Sequence, residues 1–453
     1  MLKILQTTNA SRLGMILLLA PAIILPCRAS TPPSLTTLYS FTDLTDGGFP
    51  EGGLVLGSAG ALYGTTSSSE TGWGNVFELL PVEGGGWTEK TIYTFTGGAD
   101  GGSPQAGVVI GPSNVLYGTT SSGGAHGYGT VFQVAPGAGG VWTQKVLYSF
   151  AGGTDGANPL TAVAYSSSLK VLYGTTYNGG SAGFGTVYEL IPSVGGAWTE
   201  KVIYTFLSGL DGANPLSNLI IASNGSLFGT TSQGGQFTVT NDPPDCTVAD
   251  PCIVPGWGTV FELTSTAGVW TESVLYTFTG NADGGTPESA LIPAPNGAYY
   301  GSTFWGGNSD CQESFYLQGC GVIYEMTPPT GAGTTWTETV LYSFTDASPN
   351  GAHPYGNMGL NATGAIFGST FSGGENIDTC FSQAYTGCGT IFALSAPTKV
   401  GSPWGEENVI SFPGSPGGGA PNGVIVVSGG EVYGTTVLGG NTGGYGTVFS
   451  MTP

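Results

Sequence analysis

The sequence predicts an all-β fold, a seven-bladed β-propeller with four antiparallel strands in each blade. Three observations predict this fold. A four-residue pattern recurs seven times, every repeat contains short runs of β-branched and aromatic residues, and the last repeat stops before its final run. A parallel β-helix is the competing architecture, but its coils are much shorter than a period of 54 to 72 residues.

The recurring pattern is Tyr/Phe-Gly-Thr/Ser-Thr, and it marks the second strand of each blade. It begins at Tyr63, Tyr117, Tyr173, Phe228, Tyr300, Phe367 and Tyr433. A second pattern, Gly-x-Val/Ile-Phe/Tyr, follows every copy and marks the third strand. A run such as Gly53 to Gly57 precedes the first pattern, and a run such as Trp142 to Phe150 closes the repeat. Turn-forming residues separate these four runs, which we name strands a to d from the axis outward.

The two ends of the chain predict how the ring closes. The segment Leu38 to Phe41 (LYSF) matches the end of a strand d, but it precedes the first repeat. The last repeat ends at Pro453, before a strand d of its own. We therefore expect the N-terminal strand to complete blade seven, because this pairing removes both open sheet edges.

Residues 1–29 indicate a signal peptide, and residues 30–453 form the predicted propeller. Basic residues precede the apolar stretch Met15 to Leu25, which is too short to span a bilayer. Lipidation of Cys27 is the weaker alternative, because Pro26 stands where a small residue is expected. No second apolar segment follows, so we expect no membrane span after signal removal. The predicted location is secreted, periplasmic or at the cell surface.

Charge excludes some classes of partner. Three of the eight basic residues leave with the signal peptide, whereas all 29 acidic residues remain. The mature chain therefore contains no arginine. A strongly negative surface repels nucleic acid and anionic lipid, so we expect neither as a partner. We expect the protein to be a monomer.

The connection between strands b and c is enlarged in three blades. It spans residues 232–257 in blade four, 304–320 in blade five and 371–388 in blade six, against seven to nine residues elsewhere. The six cysteines of the mature chain lie in these loops, one close pair in each. An even number of cysteines in an exported chain predicts disulfides. The predicted pairs are Cys246–Cys252, Cys311–Cys320 and Cys380–Cys388.

Aromatic and acidic side chains in these loops suit the recognition of a glycan, and loops on a rigid scaffold concentrate binding residues. The ligand-binding candidates are Trp257, Phe304, Trp305, Tyr316, Phe381 and Tyr385. Carboxylates in the same loops could instead bind Ca²⁺. The weak candidates for that metal are Asp245, Asp250, Asp310 and Asp378. The remaining alternative is that the loops only cover the ring, and no other cofactor is expected.

Residues that recur in every blade are best explained as architecture. The Trp of strand d could be a sugar platform, but packing between blades is the better account. The Asp of the Asp-Gly turns could ring a cation, but its role in the turn already explains it. His126 and His353 lie on different types of loop, so no Ser-His-Asp set assembles and no catalytic residue is predicted.

The succession of LYGTT, GTVF and WTE-LYSF elements from about residue 38 to 453 resembles the GloVer tandem repeat of exported bacterial proteins described as choice-of-anchor. The resemblance implies an exported and often surface-held protein. It carries no established activity, so it transfers no catalytic residue to this chain. Because no sorting segment follows the last repeat, we expect release after export.

Three functions stay open. We favour a non-catalytic binding or scaffold protein that recognises a glycan or another extracellular or envelope component through the loops of blades four to six. One alternative is a carbohydrate-active hydrolase or lyase that uses two loop carboxylates as acid and base. The other is a purely structural surface repeat protein. Catalysis is disfavoured because no cluster of His, Arg or Lys lies near the loops.

Overall fold

The computed structural model describes most of the chain after residue 32. The described residues are 33–42, 45–236, 238–240, 252–254, 256–308, 311, 318–331, 333, 335–345, 350–375, 380, 387–397, 404–426, 430–441 and 443–452. The predicted signal peptide and Cys27 lie outside them. No helix within the described ranges is long and apolar enough to cross a membrane.

Short β-strands make up nearly all of the described secondary structure. The N-terminal strand and blades one to three contain β1 (Ser34–Ser40), β2 (Val55–Leu56), β3 (Leu62–Thr66), β4 (Asn75–Pro81), β5 (Trp87–Thr94), β6 (Val109–Ile110), β7 (Leu116–Thr120), β8 (Thr130–Pro136), β9 (Trp142–Ser149), β10 (Ala164–Ser166), β11 (Val171–Thr176), β12 (Thr186–Pro192) and β13 (Trp198–Thr205). Short 3₁₀ helices lie at Ser58–Gly60, Pro112–Asn114, Ala138–Gly140, Gly153–Asp155 and Pro295–Gly297.

The remaining blades follow the same plan with longer connections. They contain β14 (Ala213–Pro215), β15 (Ile220–Ile221), β16 (Leu227–Gln233), β17 (Thr238–Thr240), β18 (Cys252–Val254), β19 (Thr259–Thr266), β20 (Val269–Thr277), β21 (Ile292–Pro293), β22 (Tyr299–Thr303), β23 (Val322–Thr327), β24 (Thr337–Ser343), β25 (Gly351–Pro354), β26 (Gly359–Leu360), β27 (Ile366–Gly373), β28 (Thr390–Ser395), β29 (Gly405–Ser411), β30 (Gly419–Val426), β31 (Val432–Leu438) and β32 (Thr447–Thr452). In blades four and six, strand a is split in two, as β14 with β15 and as β25 with β26. The pair β17–β18 forms a small separate sheet inside the enlarged loop of blade four.

The seven blades and the ring closure are as predicted. Each blade is an antiparallel sheet in the order a, b, c, d, and blade seven has the order β30-β31-β32-β1. Strand β1 pairs with β32 from Ser34 opposite Thr452 to Ser40 opposite Thr447. The N-terminal strand is therefore the strand d of the last blade, and both sheet edges that a linear chain would leave open are paired.

The glycine of the recurring pattern is explained by a close approach across strands b and c. Gly118 of β7 lies directly opposite Phe132 of β8. A Cβ atom at Gly118 would lie 2.5 Å from Cζ of Phe132, well inside van der Waals contact. The same conflict arises in the other six blades, at Gly64, Gly174, Gly229, Gly301, Gly368 and Gly434. Glycine at this position lets the aromatic ring of strand c lie across strand b.

That strand-c ring also joins each blade to the preceding one. It meets the Phe at the end of the preceding blade's strand d in an edge-to-face contact, a favourable geometry for aromatic pairs. The seven pairs, with centroids 5.0 to 5.3 Å apart, are Phe41–Phe77, Phe95–Phe132, Phe150–Tyr188, Phe206–Phe261, Phe278–Tyr324, Phe344–Phe392 and Phe412–Phe449. Phe41 follows β1, so its contact with Phe77 joins blade seven to blade one.

The Trp of strand d packs between blades, which confirms the architectural interpretation of this residue. Each indole stands edge-on to the strand-b aromatic of the preceding blade, at 5.7 to 6.2 Å between centroids. The pairs are Trp87–Tyr433, Trp142–Tyr63, Trp198–Tyr117, Trp270–Tyr173, Trp336–Phe228 and Trp404–Tyr300. All six indoles are half-buried by this packing.

The Asp of the Asp-Gly turns is also architectural. At the turn between blades one and two, Asp100 accepts a hydrogen bond from the hydroxyl of Tyr93 on strand d of blade one at 2.9 Å and one from the backbone N–H of Thr96 at 2.9 Å. The equivalent Tyr donates to Asp46, Asp155, Asp211 and Asp283 at 2.6 to 3.1 Å. Each carboxylate thus ties the turn to its own strand d, as the turn interpretation predicts.

A second carboxyl group faces several of these turns from the next blade. Glu200, the third residue of β13, is half-buried, and its Oε1 atom has no hydrogen-bond partner among the described residues. Burial and the carboxylate of Asp155 raise the pKa of Glu200 to about 8. In blade two the equivalent residue is Gln144, whose amide donates to the carbonyl of Asp100 at 3.2 Å. Blade two therefore has a neutral version of the same contact.

We expect the substitution Glu200→Gln to stabilise the protein at pH 9 and to have little effect at pH 5. Because the pKa of Glu200 is higher in the folded chain than in the unfolded chain, the contribution of this group to the free energy of unfolding is greatest at low pH. That contribution decreases as the pH rises through about 8, where the half-buried carboxyl group ionises. Glutamine cannot ionise, so the variant escapes the loss. Thermal unfolding at both pH values measures the effect. The reverse change, Gln144→Glu, should lower the melting temperature at pH 9, and equal curves for all three proteins would contradict the prediction.

Candidate functional site

Strand a bulges toward the axis of the ring in each blade. In blade one, Gly48 bridges Ser68 and Val55 pairs with Tyr63, so residues 49–54 face only residues 64–67 on strand b. The two extra residues take the chain out of the ladder, as in other β-bulges, which are frequent beside functional sites. Blade seven has a shorter version, with a register shift between Pro421 and Val424. The bulges bring backbone and side chains from every blade to the axis.

A cavity of about 510 Å³ lies on the axis at these bulges. The residue after the first proline of each strand a lines it, so each blade contributes one side chain at the same position. The seven residues are Glu51, Gln105, Leu160, Leu216, Glu288, Tyr355 and Asn422. Phe304, Phe371 and Val437, where the b–c connections begin, add to the wall. The cavity therefore lies at the end of the ring that carries the b–c loops.

Asn218 and Asn357 also line the cavity, two residues after Leu216 and Tyr355 respectively. Asn218 donates from its amide to Oδ1 of Asn357 at 3.4 Å, which links blades four and six across the ring. Asn218 also accepts from the backbone N–H of Ala162 at 2.8 Å. A Cβ atom at Gly53 of blade one would lie 2.8 Å from Nδ2 of Asn357, so the Asn357 amide reaches that blade too. These two amides form a polar part of the cavity wall.

A polar arc spans blades seven, one and two. The carboxylate of Glu51 accepts from the hydroxyl of Ser67 at 3.1 Å and from the amide of Gln105 at 3.0 Å. The amide of Asn422 donates to the backbone carbonyl of Glu51. Glu51 is thus held by donors from neighbouring blades, and its oxygens are fixed as acceptors. Leu160 and Leu216 make the next part of the wall apolar.

Glu288 lies in blade five, on the other side of the apolar part. Its side chain is partly accessible, and that accessible part lines the cavity. Burial raises the pKa of Glu288 to about 7, and neither of its oxygens has a hydrogen-bond partner among the described residues. The neighbouring Tyr355 has its pKa raised by burial and then by the carboxylates of Glu288 and Glu51. The cavity therefore contains a carboxyl group that changes charge near neutral pH.

An aromatic cluster supports this side of the cavity. Phe304 stacks on the ring of His353 at 4.8 Å between centroids, and it lies edge-on to Tyr355 at 6.0 Å. Tyr355 also meets Phe371 of the next loop at 6.1 Å. Nδ1 of His353 lies 2.8 Å from the hydroxyl of Ser372, and burial lowers the pKa of His353 to about 4. The imidazole is therefore neutral under ordinary conditions and serves as a fixed aromatic plate.

The family model described as the Gloeobacter/Verrucomicrobia repeat matches residues 68–241. The match confirms the resemblance drawn from the repeated elements for this part of the chain, from the b–c loop of blade one to the enlarged loop of blade four. No curated protein sequence matches the chain.

Several solved structures resemble this chain at low identity. A Trichoderma reesei carbohydrate-active enzyme of family AA12 is 12% identical, with 93% of this chain and 96% of that chain covered and a TM-score of 0.44. A luciferin-regenerating enzyme is 11% identical, with 93% and 95% covered and a TM-score of 0.42. A glucose dehydrogenase is 14% identical, with 92% and 99% covered and a TM-score of 0.41.

The structure places three of the predicted ligand-binding residues. Phe304 lines the cavity, whereas Trp305 is 5% exposed and lies edge-on to His353 at 4.6 Å. Trp257 is half-buried against a turn, since a Cβ atom at Gly280 would lie 2.1 Å from its indole. Only Phe304 of these three therefore reaches the cavity. The side chains of Tyr316, Phe381 and Tyr385 lie outside the described residues.

Two of the three predicted disulfides are formed, Cys311–Cys320 and Cys380–Cys388. They hold the enlarged loops of blades five and six, and they indicate that the protein matures in an oxidising environment. The backbone N–H of His353 donates to the carbonyl of Cys320 at 2.8 Å, which ties the first loop to the aromatic cluster. The predicted pair Cys246–Cys252 lies outside the described side chains.

No group of three or more His, Cys, Asp and Glu side chains in the described part of the chain is placed to hold a metal ion. The four weak Ca²⁺ candidates, Asp245, Asp250, Asp310 and Asp378, lie outside that part. Ca²⁺ binding by the loops therefore stays a prediction.

The seven residues of the cavity wall were not predicted, although the sequence contains a signal for them. The position follows a proline that recurs in all seven blades, yet it carries Glu, Gln, Leu, Leu, Glu, Tyr and Asn. A position that varies within a repeated element is not needed for packing the blades. Here the side chains at that position line the axial cavity.

Proposed function

We propose that this protein is an extracellular carbohydrate-binding propeller, and that its axial cavity binds a neutral mono- or disaccharide without turning it over. The observation that supports this most directly is the pairing of Glu288, a carboxyl group with no partner of its own, with the aromatic wall of Tyr355, Phe304 and Phe371. A pyranose offers hydroxyl groups to the first and a C–H face to the second.

The lining favours a neutral ligand over an anionic one. The residues that line the cavity include two Glu and no Lys or Arg, so nothing there compensates a carboxylate or phosphate. Amide groups of Gln105, Asn422, Asn218 and Asn357 supply both donors and acceptors. Small-molecule sites are typically concave and largely apolar, with a few polar groups that fix orientation, and this cavity has that composition and a suitable volume.

The enlarged loops of blades five and six contribute to this site through their first residues, Phe304 and Phe371. The disulfides Cys311–Cys320 and Cys380–Cys388 hold the two loops, which helps to keep the aromatic wall in place. A glycan therefore remains the proposed class of ligand, but the proposed site is centred on the axis of the ring and not on the tips of the loops.

A hydrolase is the second candidate, and one observation favours it. The cavity contains two carboxyl groups in unlike surroundings, because Glu51 accepts hydrogen bonds from two donors, whereas Glu288 has no such donor in the part of the chain that the structure describes and burial raises its pKa to about 7. Glu288 would protonate the leaving oxygen of a glycosidic bond, and Glu51 would take a proton from the attacking water. Release of reducing sugar that disappears in Glu288→Gln would establish this activity. We expect no such release.

The substitution Glu288→Ala should weaken saccharide binding roughly 10- to 100-fold, as expected when a buried carboxyl group that hydrogen-bonds the ligand is removed. Isothermal titration of the wild type and the variant with a panel of neutral mono- and disaccharides measures the loss. We expect the same affinities with Ca²⁺ and with a chelator.

Glu83→Ala is the matched control, since Glu83 is an exposed acid on a c–d connection away from the cavity. It should bind like the wild type. Equal affinities for Glu288→Ala and the wild type would exclude the cavity as the site. Binding of organic cations in place of saccharides would change the ligand class, and no binding by the wild type would favour a purely structural repeat protein.

A further inference from the structure

Three exposed aromatic residues share one position in the repeat. Trp73, Tyr128 and Phe184 are 39%, 45% and 37% exposed, and no other Trp, Tyr or Phe among the described residues is as exposed. Each directly precedes the glycine that begins the strand-c pattern, in blades one, two and three. Singly exposed apolar side chains are ordinary, but three at one position of consecutive blades are not a scattered set. We name these three residues the aromatic arc.

The rings of Trp73 and Tyr128 each pack on the turn that leads to the next blade, at glycines that have no side chain. A Cβ atom at Gly97 would lie 2.2 Å from the indole of Trp73, and one at Gly102 would lie 2.7 Å from it. A Cβ atom at Gly152 would lie 2.8 Å from the ring of Tyr128. Glycine therefore lets each ring pack on the backbone with one side while part of its surface stays open to solvent.

The backbone of the aromatic arc is anchored in the same way in all three blades. The carbonyl of Trp73 accepts from the N–H of Ser103 at 2.8 Å. The carbonyls of Tyr128 and Phe184 accept from Asn158 and Asn214 at 2.9 and 2.8 Å. Each donor lies two residues before a side chain that lines the cavity. The backbone of the aromatic arc is therefore tied to the segments whose side chains line the axial cavity.

In the other four blades this position is covered or used differently. Trp257 of blade four packs on the turn at Gly280 in the same way, but it is half-buried. Tyr445 of blade seven is half-buried and lies edge-on to Phe49 at 5.8 Å. Cys320 and Cys388 occupy the position in blades five and six, where they form disulfides. The exposed rings are thus confined to three adjacent blades with short b–c loops. A row of flat surfaces along one side of the ring suits an extended ligand better than a compact one.

We propose that the aromatic arc of Trp73, Tyr128 and Phe184 binds a neutral polysaccharide chain, whose sugar units stack on the exposed rings and lead toward the axial cavity. The acidic character of the chain, with 29 Asp and Glu against 8 Lys and Arg, disfavours an anionic polymer. The inference rests on the proposed function, because it extends the saccharide site from the cavity to the same end of the ring. Aromatic rings supply large contact area with few torsions to restrict.

Native affinity electrophoresis tests the aromatic arc with neutral polymers as probes: mixed-linkage β-glucan, galactomannan and hydroxyethyl cellulose. We expect at least one of them to retard the wild type, and we expect polygalacturonate, an anionic polymer, not to. The variant Trp73→Ala/Tyr128→Ala should need roughly tenfold more polymer for the same retardation. The single variant Trp73→Phe keeps a flat ring at this position and should retain most of the wild-type retardation. This comparison separates the loss of stacking from misfolding.

Val269→Ala is the matched control, because Val269 is 68% exposed at the start of strand d of blade four and lies away from the aromatic arc. It should behave as the wild type. Glu288→Ala should lose binding of short saccharides in titration and retain part of its retardation by polymer, whereas the arc variant should show the opposite pattern. The two proposals can therefore fail separately.

Retardation that is unchanged in the arc variant, or that is absent from the wild type with every neutral polymer, would overturn the inference. So would sedimentation data in which the wild type self-associates and the arc variant does not, because the aromatic arc would then be an interface between two copies of this chain.

Discussion

A chain that begins at Thr45 should fold poorly, with a melting temperature lower by about 5 °C or more and with aggregation that grows with concentration. It lacks β1, so β32 loses its partner from Thr447 to Thr452 and becomes an exposed edge strand. It also lacks Phe41, which is fully buried against Phe77 at 5.3 Å between centroids. Removal of a buried Phe side chain alone costs about 3–5 kcal/mol.

Thermal unfolding and light scattering measure this effect, and a chain that begins at Pro33 is the control. The control retains β1 and should unfold as the full mature chain does. A synthetic peptide of residues 33–42, added to the shortened chain, should raise its melting temperature because it can pair with β32. A shortened chain that unfolds at the control temperature would show that the pairing of β1 with β32 is dispensable.

The substitution Gly118→Ala should destabilise the protein by about 1–3 kcal/mol, an unusually large effect for the addition of one methyl group. The new Cβ atom would lie 2.5 Å from Phe132. Phe132 is fully buried and meets Phe95 of blade one at 5.0 Å, so its ring has little room to move. Denaturant titration of the variant and the wild type measures the change.

Gly405→Ala is the matched control for this prediction. Gly405 also lies in a strand, β29, but it is exposed and a Cβ atom there would have no neighbour within 4 Å. Alanine at this position should leave stability unchanged within about 1 kcal/mol. The double variant Gly118→Ala/Phe132→Leu should cost less than the sum of its two single changes, because leucine frees the space that the methyl group needs. Strict additivity would count against a clash between the two residues.

The fold could be predicted because its determinants are local and repeated. Strand b is identified in each blade by the pattern that blade two shows at Tyr117, Gly118 and Thr120. The glycine leaves room for the aromatic ring of strand c, and the hydroxyl of Thr120 lies 2.8 Å from the hydroxyl of Thr130 on that strand. A single copy of this pattern would be weak evidence for a strand, but seven copies, 54 to 72 residues apart, predict a repeated blade. The strand Leu38 to Phe41 at the wrong end of the chain was enough to predict how the ring closes.

The candidate site could be predicted only in part. The enlarged loops were found from their length and cysteines, and Phe304 and Phe371 at their start do reach the axial cavity. Trp305 lies in the same stretch but packs against His353, because adjacent residues of an irregular loop point in directions that no period fixes. Glu51 and Glu288 were not predicted, although both follow a proline at the same place in the repeat.

The number of blades, the identity of their strands, the closing role of β1 and the pairs Cys311–Cys320 and Cys380–Cys388 could all be predicted from the sequence, because each depends on a short stretch of chain or on its repetition. The sequence does not show that Glu51, Tyr355 and Glu288 share one cavity, because hundreds of residues separate the first from the others and the closed ring brings them together. Nor does it show which rings stay exposed, since burial depends on what the neighbouring blade places against each one.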